Sequence, residues 1–513
     1  FRSSLAPGPR FFPASGREVC GGMYSAPAAM RHFRYETAPG NTPQQASWLN
    51  FDDKLPESLA VIGLLAAVGA TNIIFFRCHR GSGGRVECED QGASLTPGAA
   101  EGQCCPANGQ PAARVDTVAL TGLRGLAALH VAAGHYSGQF GGPDLLGGAS
   151  MSFFYLLSGF VMTLGYARPA KAADLGFDTR RFLRNRFARL YPSYLLTTLT
   201  AFGLMVWTYH ITGYLQQQLG PLLFNFGLSV LGVNMWVIPL SAWIADPTFV
   251  PSLPVNPVSW TVQTMSLFYL FFPVLLPWLR RVTHHRAAIT ALYWLQLLVF
   301  LSLFGAGVFL IGQDSWGYWV ARGWPLSRFS VFAMGCVMAF ERSRGDGVGR
   351  SLCMGLWCGA GGRPAEERVW GRRATCACTW YLVILAGWVT FVELVAPQGF
   401  ATTSATQQLA FELIRGAVEA LVPLLFVDLI GALTRCGDAG LAAKLCRSPA
   451  MQRMGDISMT FYMVHILVLQ AASVACRAPP PAWTAPILFF CSLVVGWLLA
   501  HGFEAPVRRL LRG

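Results

Sequence analysis

The sequence predicts an all-α, polytopic membrane helix bundle, and three observations carry that expectation. Charged residues make up only 13% of the 513-residue chain, against 53% hydrophobic residues, whereas soluble domains average about 25% charged. Apolar runs long enough to span a bilayer, which takes about 17–20 residues, recur from residue 58 to the end. Between these runs lie short loops crowded with arginine, the pattern that orients membrane spans. The net charge of +13 therefore reads as topology and as sites for anionic lipid or phosphate groups. Its placement excludes nucleic acid as a partner.

Residues 1–57 are Pro/Gly/Ser-rich without an apolar run, so they predict a disordered tail with no visible signal peptide. An extra N-terminal helix follows at 58–76, then a Gly/Cys/acidic linker at 77–116. From 117 to 513 the chain predicts a membrane domain of ten core spans, at 117–137, 150–167, 187–207, 258–279, 287–311, 322–341, 379–396, 410–432, 455–475 and 484–502. The basic loops RPAKAADLGFDTRRFLRNRFAR (168–189) and RRVTHHR (280–286), the arginine-rich stretch 342–373, residues 435–453 and the terminal VRRLLRG all face the cytosol on this scheme. One segment breaks the parity. PLLFNFGLSVLGVNMWVIPL (221–240) is long enough to cross, yet a single crossing would place RRVTHHR outside. It is expected to be re-entrant, interfacial or split into two short halves, with irregular backbone lining a cavity. Most of the fourteen cysteines fall in predicted cytosolic segments, which predicts free thiols rather than a disulfide framework. The run 353–378 lacks paired CxxC spacing, and no metal is expected.

The first core span raises the functional question. It contains RGLAALHVAAGH (124–135), although a charge at the bilayer centre costs about 3 kcal/mol or more. Eleven residues at about 100° each return to nearly the same angle, so Arg124 and His135 share a face about 16 Å apart. His130 points elsewhere and reads as a packed residue. Two ionisable groups on one stripe predict a functional site. Gly125, Ala127, Ala128, Ala132, Ala133 and Gly134 let neighbouring helices approach closely.

Four further stretches carry chemistry. Ser158-Gly159 in SFFYLLSGFVMTL (152–164) reads as close packing, because no Gly-x-Ser-x-Gly elbow surrounds the serine. In RRFLRNRFARLYPSYLL (180–196), Arg186 and Arg189 stand one turn apart with Arg181 and Arg184 just before them. Bidentate phosphate recognition and plain positive-inside topology both fit that cluster. PVSWTVQTMSLFYLFFPVLLP (257–277) places Trp260 and Gln263 at the outer start of a helix. MGDISMTFYMVHILVL (454–469) puts His465 inside a span, with Asp456 and Ser458 at its start.

In this order and spacing, these stretches resemble the acyltransferase-3 family of membrane O-acyltransferases. The likeness runs over about 117–510 and takes in RGLAALHVAAGH, FFYLLSGF, RFARLYP, the tryptophan-containing helix ending in F-Y, RFSVFAMG (328–335) and the YxxH of 462–465. It implies a ten-helix core in a multi-pass integral membrane protein. It also implies transfer of an acyl group, often acetyl, from cytosolic acyl-CoA to a hydroxyl on a carbohydrate or lipid-linked acceptor. By this match Arg124 and His135 are the catalytic pair. Arg186 and Arg189, with Arg181, fall on the basic motif that would hold the CoA phosphates. Ser158, Trp260, Tyr269, Arg328 and His465 fall on supporting positions. One departure stands out: where the family carries an acidic residue or pair before F-Y, this chain reads WTVQTMSLFY, with Met265 and Ser266. Glu393, Glu412, Glu419 and Asp428 are the candidate replacements. Two other readings remain open on the sequence: a multi-pass transporter whose Arg/His stripe lines a solute path, and a catalytically silent member of the same family.

Overall fold

The computed structural model describes residues 115–166, 177–243, 253–306, 320–343, 363–395, 405–476 and 480–512. The expected tail (1–57), extra helix (58–76) and nearly all of the linker (77–116) lie outside the described residues. The regular elements described are all helical. In chain order they are α1 (Val118–Gln139), α2 (Gly147–Tyr166), α3 (Thr179–Ile211), α4 (Leu215–Leu231), α5 (Asn234–Val237), α6 (Trp260–Arg280), α7 (His285–Gly305), α8 (Pro325–Ser343), α9 (Arg363–Val395), α10 (Ala405–Leu433), α11 (Leu441–Arg447), α12 (Pro449–Cys476), α13 (Ala485–Leu499) and α14 (Ala505–Arg512). A π-helical turn, Ala500–Glu504, joins the last two.

Seven described helices are long and apolar enough to cross a membrane: α2, α6, α7, α9, α10, α12 and the α13–α14 run. The protein is accordingly a multi-pass integral membrane protein. Three more long helices, α1, α3 and α8, fall short of that apolarity because they carry the interior arginines and histidines. Two helices begin well before the apolar runs that predicted them. α3 starts at Thr179, where the Asp178 carboxylate accepts from the Arg181 backbone N–H at 2.8 Å and caps the helix. α9 starts at Arg363. Arginine and glutamate are good helix formers, so the helices continue through charged residues that hydropathy does not count.

The parity-breaking segment is bent. α4 and the short helical run after it meet at 107° across a two-residue break, and Gly232, at φ +73°, ends α4 in the left-handed region. The bend is held by side-chain amides. Gln263 on α6 donates to the Tyr194 hydroxyl at 2.8 Å and to Asn234 Oδ1 at 3.0 Å, and accepts from the Met235 N–H at 3.1 Å. The Trp236 indole donates to the Gln263 carbonyl at 2.9 Å.

Two seams of backbone-on-backbone contact hold the core together. α1 runs beside α12, with Gly455 against the Thr121 carbonyl, and meets α11 where Gly122 lies against the Cys446 backbone. α2 and α8 make the second seam, Gly159 against the Phe332 carbonyl and Gly335 against that of Leu156. A Cβ at any of these positions would collide with main chain, which is how small residues bring membrane helices together. Around the seams, α10 packs on α2, α7 on α8, α3 and α13 on α12, and α14 on α3.

Candidate active site

Both ionisable groups of the α1 stripe meet α12. Arg124 Nη2 donates to the Gly455 carbonyl at 3.5 Å, and His135 Nδ1 lies 2.9 Å from His465 Nε2. The two helices run in the same direction, so the stripe reaches along one wall rather than toward separate neighbours. His130, as expected of a packed residue, is satisfied elsewhere: its Nε2–H donates to the Leu145 carbonyl at 2.7 Å and its Nδ1 accepts from Ser150 Oγ at 2.8 Å.

The histidine pair has one self-consistent neutral tautomer. His465 Nδ1 lies 2.7 Å from the Tyr462 carbonyl, which can only accept, so Nδ1 carries the proton. His465 Nε2 is then a lone pair and accepts the Nδ1–H of His135. This leaves the lone pair of His135 on Nε2, as a general base requires. Tyr462 is itself anchored. Its hydroxyl donates to the Val258 carbonyl at 2.7 Å and accepts from Thr261 Oγ1 at 3.0 Å, while Asn256 donates to the Met463 carbonyl at 3.0 Å. The turn that opens α6 thereby fixes the α12 segment carrying His465.

At the Arg124 end the site is cationic. Arg189 of α3 interacts electrostatically with Arg124, Arg186, Glu504 and Tyr269, and Arg124 also senses Asp456. Arg186 Nη2 donates to the Tyr166 hydroxyl at 3.2 Å, with its guanidinium 5.3 Å from the centre of that ring. Glu504 accepts from Ser193 Oγ at 3.2 Å. The Nε groups of Arg124 and Arg186 are buried without a hydrogen-bond partner. Of the sequence candidates, Arg124, Arg186, Arg189 and Tyr269 therefore gather here. Arg181 lies exposed on the first turn of α3.

At the His135 end a buried ion network surrounds one carboxylate. Glu419 on α10 meets Arg322 at 3.2 Å, Arg415 at 3.6 Å and Arg328 at 3.8 Å, and Arg415 reaches Asp144 at 3.2 Å. Arg328 Nε also donates to the Arg322 carbonyl at 2.9 Å. The Arg322 guanidinium stands 5.9 Å from the centre of the Trp260 ring. Glu419 is 1% exposed and Arg415 2%, and His135 feels the charge of Arg322 and Arg415. The sequence pointed to Arg328 and Trp260 but not to Arg322, Arg415 or Asp144. One signal was present, since Arg415 and Glu419 stand four apart in an apolar run and thus share a helix face.

The position of the family's acidic residue holds a thioether. Met265 Sδ lies 3.6 Å from Ser158 Oγ and 3.9 Å from the Tyr269 hydroxyl, while Ser266 Oγ turns back to the Gln263 carbonyl at 2.7 Å. Ser158 thus contacts α6 through Met265. Among the candidate replacements, Glu419 is the buried carboxylate, Asp428 is half-buried, Glu393 is exposed and the side chain of Glu412 lies outside the described residues. Among the described residues, no three His, Cys, Asp or Glu side chains gather as a metal site would need.

A family model described as an acyltransferase domain matches residues 117–501. The chain is 27% identical over 380 residues to acyltransferase MdmB of Streptomyces mycarofaciens, across 68% of this chain and 78% of that one. It is 37% identical over 81 residues to protein 2 in the picA locus of Rhizobium radiobacter, across 15% of this chain and 40% of that one. No solved structure gives a significant match. The matched region runs from the start of α1 into the π-helical turn and contains both ends of the site, and the chain belongs to the acyltransferase-3 family.

Proposed function

We propose that this acyltransferase moves an acyl group from acyl-CoA to a hydroxyl of a carbohydrate or lipid-linked acceptor, with His135 as the general base. The observation that carries the proposal is the His135–His465 hydrogen bond at 2.9 Å, whose tautomer leaves His135 Nε2 ready to take a proton. Nε2 removes the acceptor's hydroxyl proton as its oxygen attacks the thioester carbon. The tetrahedral intermediate collapses with loss of the C–S bond, and the imidazolium returns the proton to the CoA thiolate. The Arg322/Arg415 pole beside His135 favours the oxyanion, a stabilisation that is large in a dry site. Arg124, Arg186 and Arg189 hold donor phosphates at the other end. An extended pantetheine arm suits the stripe between them, about 16 Å by helix geometry.

Ten spans are part of this proposal: α1, α3 and α8 cross with the seven more apolar helices, and α4–α5 enters and returns on the outer side. Their order puts the Arg124 end at the cytosolic face, where acyl-CoA is found, and the His135 end toward the far side, beside the Lys/Arg-free 208–257 region.

The test is acyl transfer from labelled acetyl-CoA by membranes carrying wild type, His135→Gln or His465→Ala. Loss of the base is expected to lower kcat by about 10²–10⁴-fold. Loss of its positioning partner should lower kcat about tenfold or more with little change in the KM for acetyl-CoA. Near-normal turnover in an inserted His135→Gln protein would end the proposal.

A further inference from the structure

The family match stops at residue 501, and the chain continues into a basic helix that folds back on the site. α14 packs along α3, the helix that carries Arg186 and Arg189. The π-helical turn before it delivers Glu504 to Ser193 Oγ, also on α3, at 3.2 Å. Such turns are frequent at functional sites. Within APVRRLLR, Arg508 and Arg512 are four apart and share a face. Both are partly buried, whereas Arg509 is exposed and Leu510 is 81% exposed. Arg508 lies within electrostatic reach of Glu504 and Asp456, and Arg512 within reach of Tyr166, the hydroxyl that Arg186 contacts.

We infer that α14 completes a phosphate-binding site, in which Arg508 and Arg512 join Arg124, Arg186 and Arg189 to hold the phosphate groups of the acyl-CoA donor. This rests on the reading of the protein as an acyl-CoA-dependent enzyme. Five guanidiniums face two carboxylates, Asp456 and Glu504, so the site carries an excess of positive charge for a polyanion. The buried Nε donors of Arg124 and Arg186 have no protein acceptor, and a phosphate oxygen supplies one, bidentate with the guanidinium fork. Glu504, tied to Ser193, sets the spacing of the arginines.

The experiment uses the full chain purified in neutral-lipid nanodiscs, with acetyl-CoA as the probe. The double substitution R508Q/R512Q is expected to raise the KM for acetyl-CoA by about tenfold or more, about 1.4 kcal/mol of lost binding. It should leave kcat within about twofold and reduce the thermal protection that acetyl-CoA confers. R509Q, at the exposed neighbour, should change neither. An unchanged KM and unchanged protection in the double variant, while His135→Gln still abolishes transfer, overturns the role of α14 and leaves the proposed function standing. A wild-type protein that neither binds nor consumes acetyl-CoA overturns both. If the effect appears only in nanodiscs containing anionic lipid, the arginines serve a lipid headgroup and the inference fails. Should the double variant not stay monodisperse, the single variants R508Q and R512Q decide by the same KM-against-kcat split.

Discussion

Glu419 is where individual side chains matter most. Three arginines converge on it, each guanidinium of Arg322, Arg328 and Arg415 within 4 Å of one of its oxygens. Breaking such a buried set by removing one partner typically costs about 3–5 kcal/mol, because the charges left behind are uncompensated. Glu419→Gln keeps the shape and removes the charge. It is expected to lower the thermal midpoint of the detergent-solubilised protein by several degrees and reduce its yield in membranes, read by a thermal-unfolding assay. Asp144, which pairs only with Arg415 among these three, should show a smaller effect. The contrast with His130 is instructive: that histidine is ionisable and intramembrane too, but three neutral groups, Leu145, Ser150 and Tyr381, satisfy it. His130 is thus held by hydrogen bonds to its packing neighbours, whereas His135 is held by a second histidine.

Among the elements, the bent α4–α5 segment depends on one residue of another helix. Replacing Gln263 by leucine leaves the Asn234 carbonyl, the Tyr194 hydroxyl and the Met235 N–H short of a partner, at about 1–3 kcal/mol for each buried group left unmade. Gln263→Leu should therefore increase hydrogen exchange across 225–240 while leaving α1 and α12 protected. Equal loosening of α1 would show that the bend is not held locally. Charge parity predicted a segment that is re-entrant, interfacial or split into two halves, because a single crossing would have put RRVTHHR outside. Its angle was not legible, because the amides that set it come from 28 and more residues downstream. The starts of α3 and α9 were missed for the opposite reason, since hydropathy follows where a helix is apolar and not where charged helix formers carry it on, or, for α3, where Asp178 caps it.

Taken as a whole, the molecule has two unlike ends, an arginine cluster by Arg124 and a histidine–arginine–glutamate assembly by His135. A tag placed after α14 is expected to be reached only from the cytosolic side of sealed vesicles. A protease site inserted beside Trp483, 72% exposed just before α13, should be cut only from the other side. Access to both the tag and the protease site from one side would undo the ten-span arrangement. The α1 stripe was legible because helical period alone fixes which residues share a face. The wall it faces was not, since α12 lies some 330 residues away, and of the Arg322–Arg415–Glu419 network only Glu419 and its four-residue spacing from Arg415 were visible, because Arg322 comes from a separate helix. The paired glycine seams carry a mechanical consequence. Where main chain meets main chain, at Gly455 between α1 and α12 and at Gly159 and Gly335 between α2 and α8, sliding one helix along the other would drive a neighbouring Cβ into backbone. A guest too large for the site is therefore expected to be admitted by displacement of the α4–α5 arm, which lies outside these contacts, rather than by rocking of one half of the bundle against the other.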